Sequence, residues 1–255
     1  MKKILSAIRS GFGFFSRIPV GLSIEGLNEL VERNYFFVLI ASVIGIIIGS
    51  FGIASIQIFP PFLSAGLIIF FIYFIIGFNH LDGLMDFGDG WMVHGSIEKK
   101  INAMKDAFVG AGGVGFCTIY LIILYAAIVE IVKFSENAYF IFLVLFVSEI
   151  GAKQSLLTII QFGTPIHKGF GYMMTCGATN INYIIGLFIS IILCFFALGI
   201  MGIIALFTSI GFSFIMLNIF NRNFGGINGD CIGASNEIGR LIMLITIIAL
   251  KNIGM

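Results

Sequence analysis

Two stretches of this chain carry no formal charge: the 48 residues between Arg33 and Asp82, and the 53 between Lys168 and Arg222. Each has room for two helical segments of about 20 residues, the length that crosses the hydrocarbon of a bilayer. Composition agrees, with 59% of residues hydrophobic and 11% charged, against about 25% charged in an ordinary soluble domain. No soluble fold hides that much apolar surface. The sequence therefore predicts an all-α, polytopic membrane helix bundle forming a single domain over residues 1–255. The 14 Lys and Arg nearly cancel the 13 Asp and Glu, which leaves no broad basic surface for nucleic acid and no acidic one for a basic partner. Cys117, Cys176, Cys194 and Cys231 lie far apart without CxxC spacing, so neither a zinc site nor a disulfide framework is expected.

About seven spans (six to eight) are expected, at Tyr35 to Phe59, Pro61 to Phe78, Ala107 to Ile131, Ala138 to Ile160, Ile181 to Leu198, Gly202 to Phe220 and Ile238 to Leu250. The junctions Phe59-Pro60-Pro61 and Gly199 to Met201 read as tight helical hairpins. The last span is the least clear, because only ten residues separate Arg240 from Lys251 and Arg240 would have to snorkel to the interface. An interfacial helix is the alternative there. Residues 1–33 form a basic N-terminal segment, with Ile4, Leu5, Ile8, Phe12 and Phe15 opposite Lys2, Lys3 and Arg9. That pattern suits a helix lying along the membrane surface, or else a plain basic tail. Arg9 and Arg17 interrupt any signal-peptide core, so the segment is expected to stay on the protein.

With the N-terminus cytoplasmic, the inner side collects Lys2, Lys3, Arg9, Arg17, Arg33, Lys99, Lys100, Lys105, Lys153, Lys168, Arg222 and Arg240, leaving Lys133 and Lys251 outside, twelve against two. This bias places the three longer polar segments, His80 to Asp106, Gln161 to Asn180 and Asn221 to Glu237, on the cytoplasmic face. Chemistry is expected there. Gly110-Ala-Gly-Gly-Val-Gly115 follows no strand and reads as the packed start of the third span, not as a nucleotide loop.

The densest polar information follows the second span, in Phe78-Asn-His-Leu-Asp-Gly-Leu-Met-Asp-Phe-Gly-Asp-Gly90. Asp82, Asp86 and Asp89 stand at i, i+4 and i+7, which on a helix continuing out of the membrane puts three carboxylates on one face. No Lys or Arg interleaves, so something positive is needed between them. Hard oxygen donors with one His and no Cys nearby favour Mg²⁺ or Mn²⁺ over zinc, and Mg²⁺ takes its remaining ligands from water and substrate phosphates. A phosphate-bearing substrate is the consequence; the plain alternative is a solvated acidic stretch. Lys105 and Asp106 are placed to hold a phosphate and to assist the metal or take a proton, while Lys99 and Lys100 read as interfacial anchors.

After the sixth span, Gly225, Gly226 and Gly229 permit turns that present N–H groups to an anion. Arg222 is a forked phosphate donor there, and Asp230 a further metal oxygen. Alone the segment is equally a glycine-rich turn, with Glu237 and Arg240 a simple helix pair. Inside the fourth span, Glu149 and Lys153 stand one turn apart and either neutralise each other or leave Lys153 to hold a substrate phosphate. His167 and Lys168 read as interfacial, in a loop able to cover a ligand.

The string His80-Leu-Asp-Gly-Leu-Met-Asp-Phe-Gly-Asp-Gly90, followed by Met104-Lys-Asp106 and Gly110, resembles the signature of the cobalamin synthase family, the membrane-bound adenosylcobinamide-GDP ribazoletransferases. Gly225-Gly-Ile-Asn-Gly-Asp-Cys-Ile-Gly-Ala234 resembles that family's second glycine-aspartate motif, and Phe14-Phe-Ser-Arg-Ile-Pro19 its N-terminal motif. Met85 and Phe87-Gly88 replace smaller or hydroxyl residues, Asn228 stands where threonine is usual and Lys153 where arginine is expected; no acid is lost.

The resemblance implies a prokaryotic cell-membrane enzyme that joins adenosylcobinamide-GDP to α-ribazole or its 5′-phosphate with Mg²⁺, releasing GMP. It implies Asp82, Asp86 and Asp89 on the metal, with Asp106 or Asp230 as base or further ligand. Substrate contacts would come from His80, Lys105, Lys153, Arg222, Gly226, Asn228 and Gly229. Association with other corrinoid-assembly enzymes is a further expectation. A CDP-alcohol phosphotransferase is the nearest alternative, but Asp82-Gly83 is followed by Leu84-Met85-Asp86 without that family's arginine. A cation transporter would want its acids near the midplane, and these lie at a span end.

Overall fold

Proline and glycine punctuate the apolar stretches where the chain turns, and helices fill the rest. The computed structural model describes residues 2–134 and 138–255. Among them it contains eleven α-helices and, apart from one bridge between Pro165 and Ile227, no β-structure. In chain order these are α1 (Lys2–Phe15), α2 (Ile24–Glu32), α3 (Phe36–Ile58), α4 (Pro61–Ile76), α5 (Asn79–Met92), α6 (Ile97–Met104), α7 (Ala111–Phe134), α8 (Ala138–Phe162), α9 (Phe170–Cys176), α10 (Asn180–Phe224) and α11 (Gly229–Asn252). Five of them, α3, α7, α8, α10 and α11, are long and apolar enough to cross a membrane, and α4 with α5 adds a sixth if that bent pair is one span.

Helix α8 is the hub, packed by α3, α10 and α11, while α5 lies between α11 and α7. The 45 residues of α10 would run about 67 Å if straight, more than twice the hydrocarbon thickness. They do not run straight. Leu198 and Gly199 leave helical geometry, with φ of +58° at Gly199. Ser190 bonds to Gln154 at 3.1 Å on one arm and Ser209 to Ser155 at 2.7 Å on the other. Two positions 19 residues apart thus meet adjacent residues of α8, so the arms are the expected fifth and sixth segments, joined by the expected hairpin.

Three expectations need correction. First, α5 does not continue the line of α4. Gly77 holds φ at +74°, open to glycine and strained for other residues, and α5 leaves α4 at 99°. Second, the last helix begins at Gly229, nine residues before the expected Ile238. Asn228 caps it, accepting from the Cys231 N–H at 2.9 Å. Arg240 does not snorkel; it is wholly buried, because acids from two helices neutralise it in place.

Third, the N-terminal segment is not a plain tail: from residue 2 it folds into α1 and α2. α1 packs on α2, Lys3 pairs with Glu29 at 2.7 Å and Arg33 joins the same carboxylate. Hydrogen bonding to Lys3, with Arg33 beside it, holds the Glu29 carboxyl below its ordinary value. Beyond α1 the Arg17 N–H donates to the Ile75 carbonyl at 2.7 Å, tying the segment to the end of α4.

Candidate active site

Along α5 the acids pass from solvent to interior: Asp82 is exposed, Asp86 half-buried and Asp89 buried. The helix crosses the first turn of α11 at Gly83. A Cβ at Gly83 would stand 3.0 Å from the Asp230 carbonyl oxygen, and one at Gly233 3.3 Å from the His80 Cα, so any larger residue would push the helices apart. That approach groups the carboxylates. The charged neighbours acting on Asp86 are Asp230, Asp82 and Asp89, in falling order of influence, and those acting on Asp230 include Asp82, His167 and Lys105. Asn228 orients Asp230 as well as capping α11, donating from Nδ2 to its Oδ2 at 2.7 Å.

Asp89 differs from the other two acids of α5. Its Oδ2 accepts the Gly110 N–H and its Oδ1 the Gly113 N–H, both at 2.8 Å. The carboxylate fastens the start of α7, where Gly110, Gly112 and Gly113 pack against α5. Among the described residues, no three His, Cys, Asp or Glu side chains converge to hold a metal ion. The donor chemistry nevertheless suits Mg²⁺, which needs only one or two protein carboxylates when waters and substrate phosphates complete its shell. Asp82 and Asp86, with Asp230 alongside, supply that.

Beside the acids, residues of α1, α3, α4, α5, α8, α9 and α11 line a cavity of about 300 Å³. Phe14, Phe15, Phe37, Phe170, Leu156 and Met174 make its apolar walls, and Asn79, His80 and Asp230 are its polar groups. Phe14 stacks on Phe170 with centroids 5.2 Å apart, and Phe15 meets Phe37 edge-on at 4.7 Å. The His80 ring lies near-parallel to Phe15 at 6.1 Å.

Behind this cavity runs a buried polar network. Arg240 donates to both oxygens of Glu149, at 2.6 and 3.2 Å, and to Glu237 at 2.5 Å. Glu237 also accepts from Tyr120 at 2.6 Å, Tyr73 at 2.9 Å and Asn236 at 3.1 Å. Lys153 donates to Asn236 at 2.5 Å and sits 4.8 Å over the Phe15 ring. The expected mutual neutralisation of Glu149 and Lys153 is therefore replaced. Glu149 takes Arg240, the geometrically better forked partner, and Lys153 turns to Asn236.

Of the residues singled out from the sequence, the structure groups His80, Asp82, Asp86, Asn228, Gly229 and Asp230 at the α5–α11 crossing, with Lys105 acting on Asp230. Asp106 is exposed and accepts the Phe108 N–H at 3.1 Å. Arg222 is exposed in the last turn of α10. Gly226 is buried in the turn whose next residue, Ile227, bonds to Thr164 and Ile166. Lys153 is enclosed in the network. Sequence reasoning missed the cavity walls at Phe14, Phe15, Phe37 and Phe170 and the network partners Tyr73, Tyr120 and Asn236. The Phe14 to Pro19 string was the only signal for the former.

The fold is that of a polytopic membrane helical protein with a group of acids where α5 crosses α11. The family model for cobalamin-5-phosphate synthase matches residues 7–248, and the chain belongs to that family. It is 48% identical over 252 residues to the adenosylcobinamide-GDP ribazoletransferase of Methanococcoides burtonii, covering 97% of this chain and 93% of the relative. It is 42% identical to the like-named protein of Methanosarcina barkeri (100% and 96% covered) and 42% identical to that of Methanosarcina mazei (97% and 93%). The resemblance read from the residues is borne out, and with it an enzyme of the transferase type. No solved structure matches the chain.

Proposed function

We propose that the protein joins adenosylcobinamide-GDP to α-ribazole or its 5′-phosphate, forming adenosylcobalamin or its phosphate and GMP, at the cytoplasmic face of a prokaryotic cell membrane. The observation that carries this reading is the grouping of Asp82, Asp86 and Asp230 where α5 crosses α11. The names of the curated relatives supply the substrates, and the Lys and Arg outside the buried network, ten against two once Lys153 and Arg240 are set aside, support the orientation.

A ribose hydroxyl of the acceptor attacks the phosphorus that stays on cobinamide. The new P–O bond forms as the pyrophosphate P–O bond breaks, GMP leaves with the bridging oxygen, and the hydroxyl proton passes to a carboxylate. Asp230 fits that last duty, because it lines the cavity and Asn228 holds one of its oxygens. Lys105, which acts on Asp230, and Arg222 at the end of α10 supply positive charge for the phosphates. A divalent cation held by Asp82 and Asp86, Mg²⁺ by donor hardness, would neutralise charge on the departing GMP.

The test is incubation of detergent-purified protein with adenosylcobinamide-GDP and α-ribazole, with and without Mg²⁺, following corrinoid product and GMP by chromatography. Mg²⁺-dependent appearance of both is expected. Release of CMP from CDP-diacylglycerol and an alcohol, with no corrinoid product, would overturn the assignment.

A further inference from the structure

We propose that the aromatic cavity is the seat of the acceptor's heteroaromatic base, and that Phe14 and Phe170 help decide which flat ring is accepted. The identity of the acceptor rests on the transferase reading above; the placement rests on how the cavity is built. Its volume, about 300 Å³, is at the lower end of small-ligand sites. That is room for a nucleoside and not for a corrinoid. No Lys or Arg lines it, and its one carboxylate, Asp230, repels phosphate, so the pyrophosphate of the donor belongs outside. The aromatic and aliphatic walls suit an uncharged flat ring with apolar substituents. A guanine base would need several hydrogen-bonding partners for its polar edge, and the cavity offers few.

The walls are of two kinds. Phe15 and Phe37 are each about 1% exposed, and Phe15 is backed by Lys153, itself bonded to Asn236. They form a fixed floor. Phe14 and Phe170 come from the short helices α1 and α9, and are the aromatic walls most open to solvent, Phe170 at 40%. A base seated between floor and outer walls directs its sugar to the polar groups at Asp230, beside Asp82 and Asp86. The reacting hydroxyl then meets the acidic group without the base having to enter it.

Steady-state kinetics on Phe170→Ala and Phe14→Ala test this. The KM for α-ribazole should rise about 10-fold, the size of one lost stacking contact, while the KM for adenosylcobinamide-GDP stays put. Phe170→Trp should restore the acceptor KM. A rise in the adenosylcobinamide-GDP KM instead, or no change in either, overturns the proposal. Equilibrium dialysis of α-ribazole against the full-length protein separates this from failure of the transferase reading. Binding that Phe170→Ala weakens upholds the cavity even where no corrinoid product forms. Wild-type protein that binds no α-ribazole, or an alanine variant that binds it equally well, overturns it.

Discussion

Two groups of charges stand two helical turns apart on α11, and the fold treats them in opposite ways. At the first turn Asp230 joins Asp82 and Asp86, like charges gathered at the rim of the bundle. Two turns deeper Glu237 and Arg240 join Glu149 and Lys153, two acids and two bases, each hydrogen-bonded and each buried. Charge taken out of water is tolerated only when paired and bonded, and the inner group meets that condition from its own residues. The outer group does not. Lys105 and His167 act on Asp230 while the charged neighbours acting on Asp86 are all acids, an imbalance that suits a cation and phosphates.

Removing one member should therefore do different damage in each group. Arg240→Met strands two buried carboxylates and is expected to cost about 3–5 kcal/mol, a large part of the 5–15 kcal/mol that typically holds a domain. Size-exclusion chromatography of the detergent extract should show little monodisperse protein. Adding Glu149→Gln to that variant should recover much of it, since the buried Glu237 and Lys153 then balance each other. Normal extraction of Arg240→Met by itself would break the comparison.

In the outer group, Asp86→Asn should lower turnover about 10³-fold, corresponding to several kcal/mol of lost charge stabilisation in the transition state. Its melting temperature should equal or exceed that of the wild type, because a repulsion has gone. A lower melting temperature with near-normal turnover would reverse the two roles.

The outer group was legible in the sequence and the inner one only as two separate helix pairs, of which Glu237–Arg240 forms, for a physical reason. Asp82, Asp86 and Asp89 declare themselves by local helical spacing, and Asp230 by its glycine-rich setting. One of the two acid partners of Arg240, Glu149, lies 91 residues away, so hydropathy reads that charge as the end of a span and trims α11 to Ile238 to Leu250. The spans themselves were legible because lipid imposes length and apolarity. The 99° bend at Gly77 was not, since an apolar run ending in an acidic helix reads the same bent or straight. The floor of the cavity, built from Phe15 of α1 and Phe37 of α3, left a local trace only in the Phe14 to Pro19 string.

Asp89 lies between the two groups in character: it belongs to the acidic run, yet both oxygens are committed to backbone N–H groups. Asp89→Asn keeps the shape but loses the charge and one acceptor, and should cost about 1.5–3 kcal/mol, the range for hydrogen bonds to a charged group. Hydrogen exchange at Gly110 and Gly113 should speed up, with a smaller fall in turnover than Asp86→Asn gives. A loss of turnover equal to that of Asp86→Asn, with unchanged exchange, would move Asp89 into the outer group.

The smallest effect belongs to Glu29, which repeats the acid–base pairing of the inner group outside the bundle, where Lys3 is largely exposed. Its carboxyl titrates below the ordinary value because Lys3, and then Arg33, favour the charged form. The pairing therefore favours the folded state above the ordinary carboxylate pKa, and that contribution is lost as pH falls through the lowered folded value. Glu29→Gln should accordingly raise hydrogen exchange in α1 slightly at neutral pH, and the difference from wild type should fade in acid. Added salt should shrink it too, since water and ions reach this pair. The Glu149–Arg240 pair, sealed from both, should show no such salt dependence. Equal salt sensitivity in the two pairs would mean that burial is not what sets their worth.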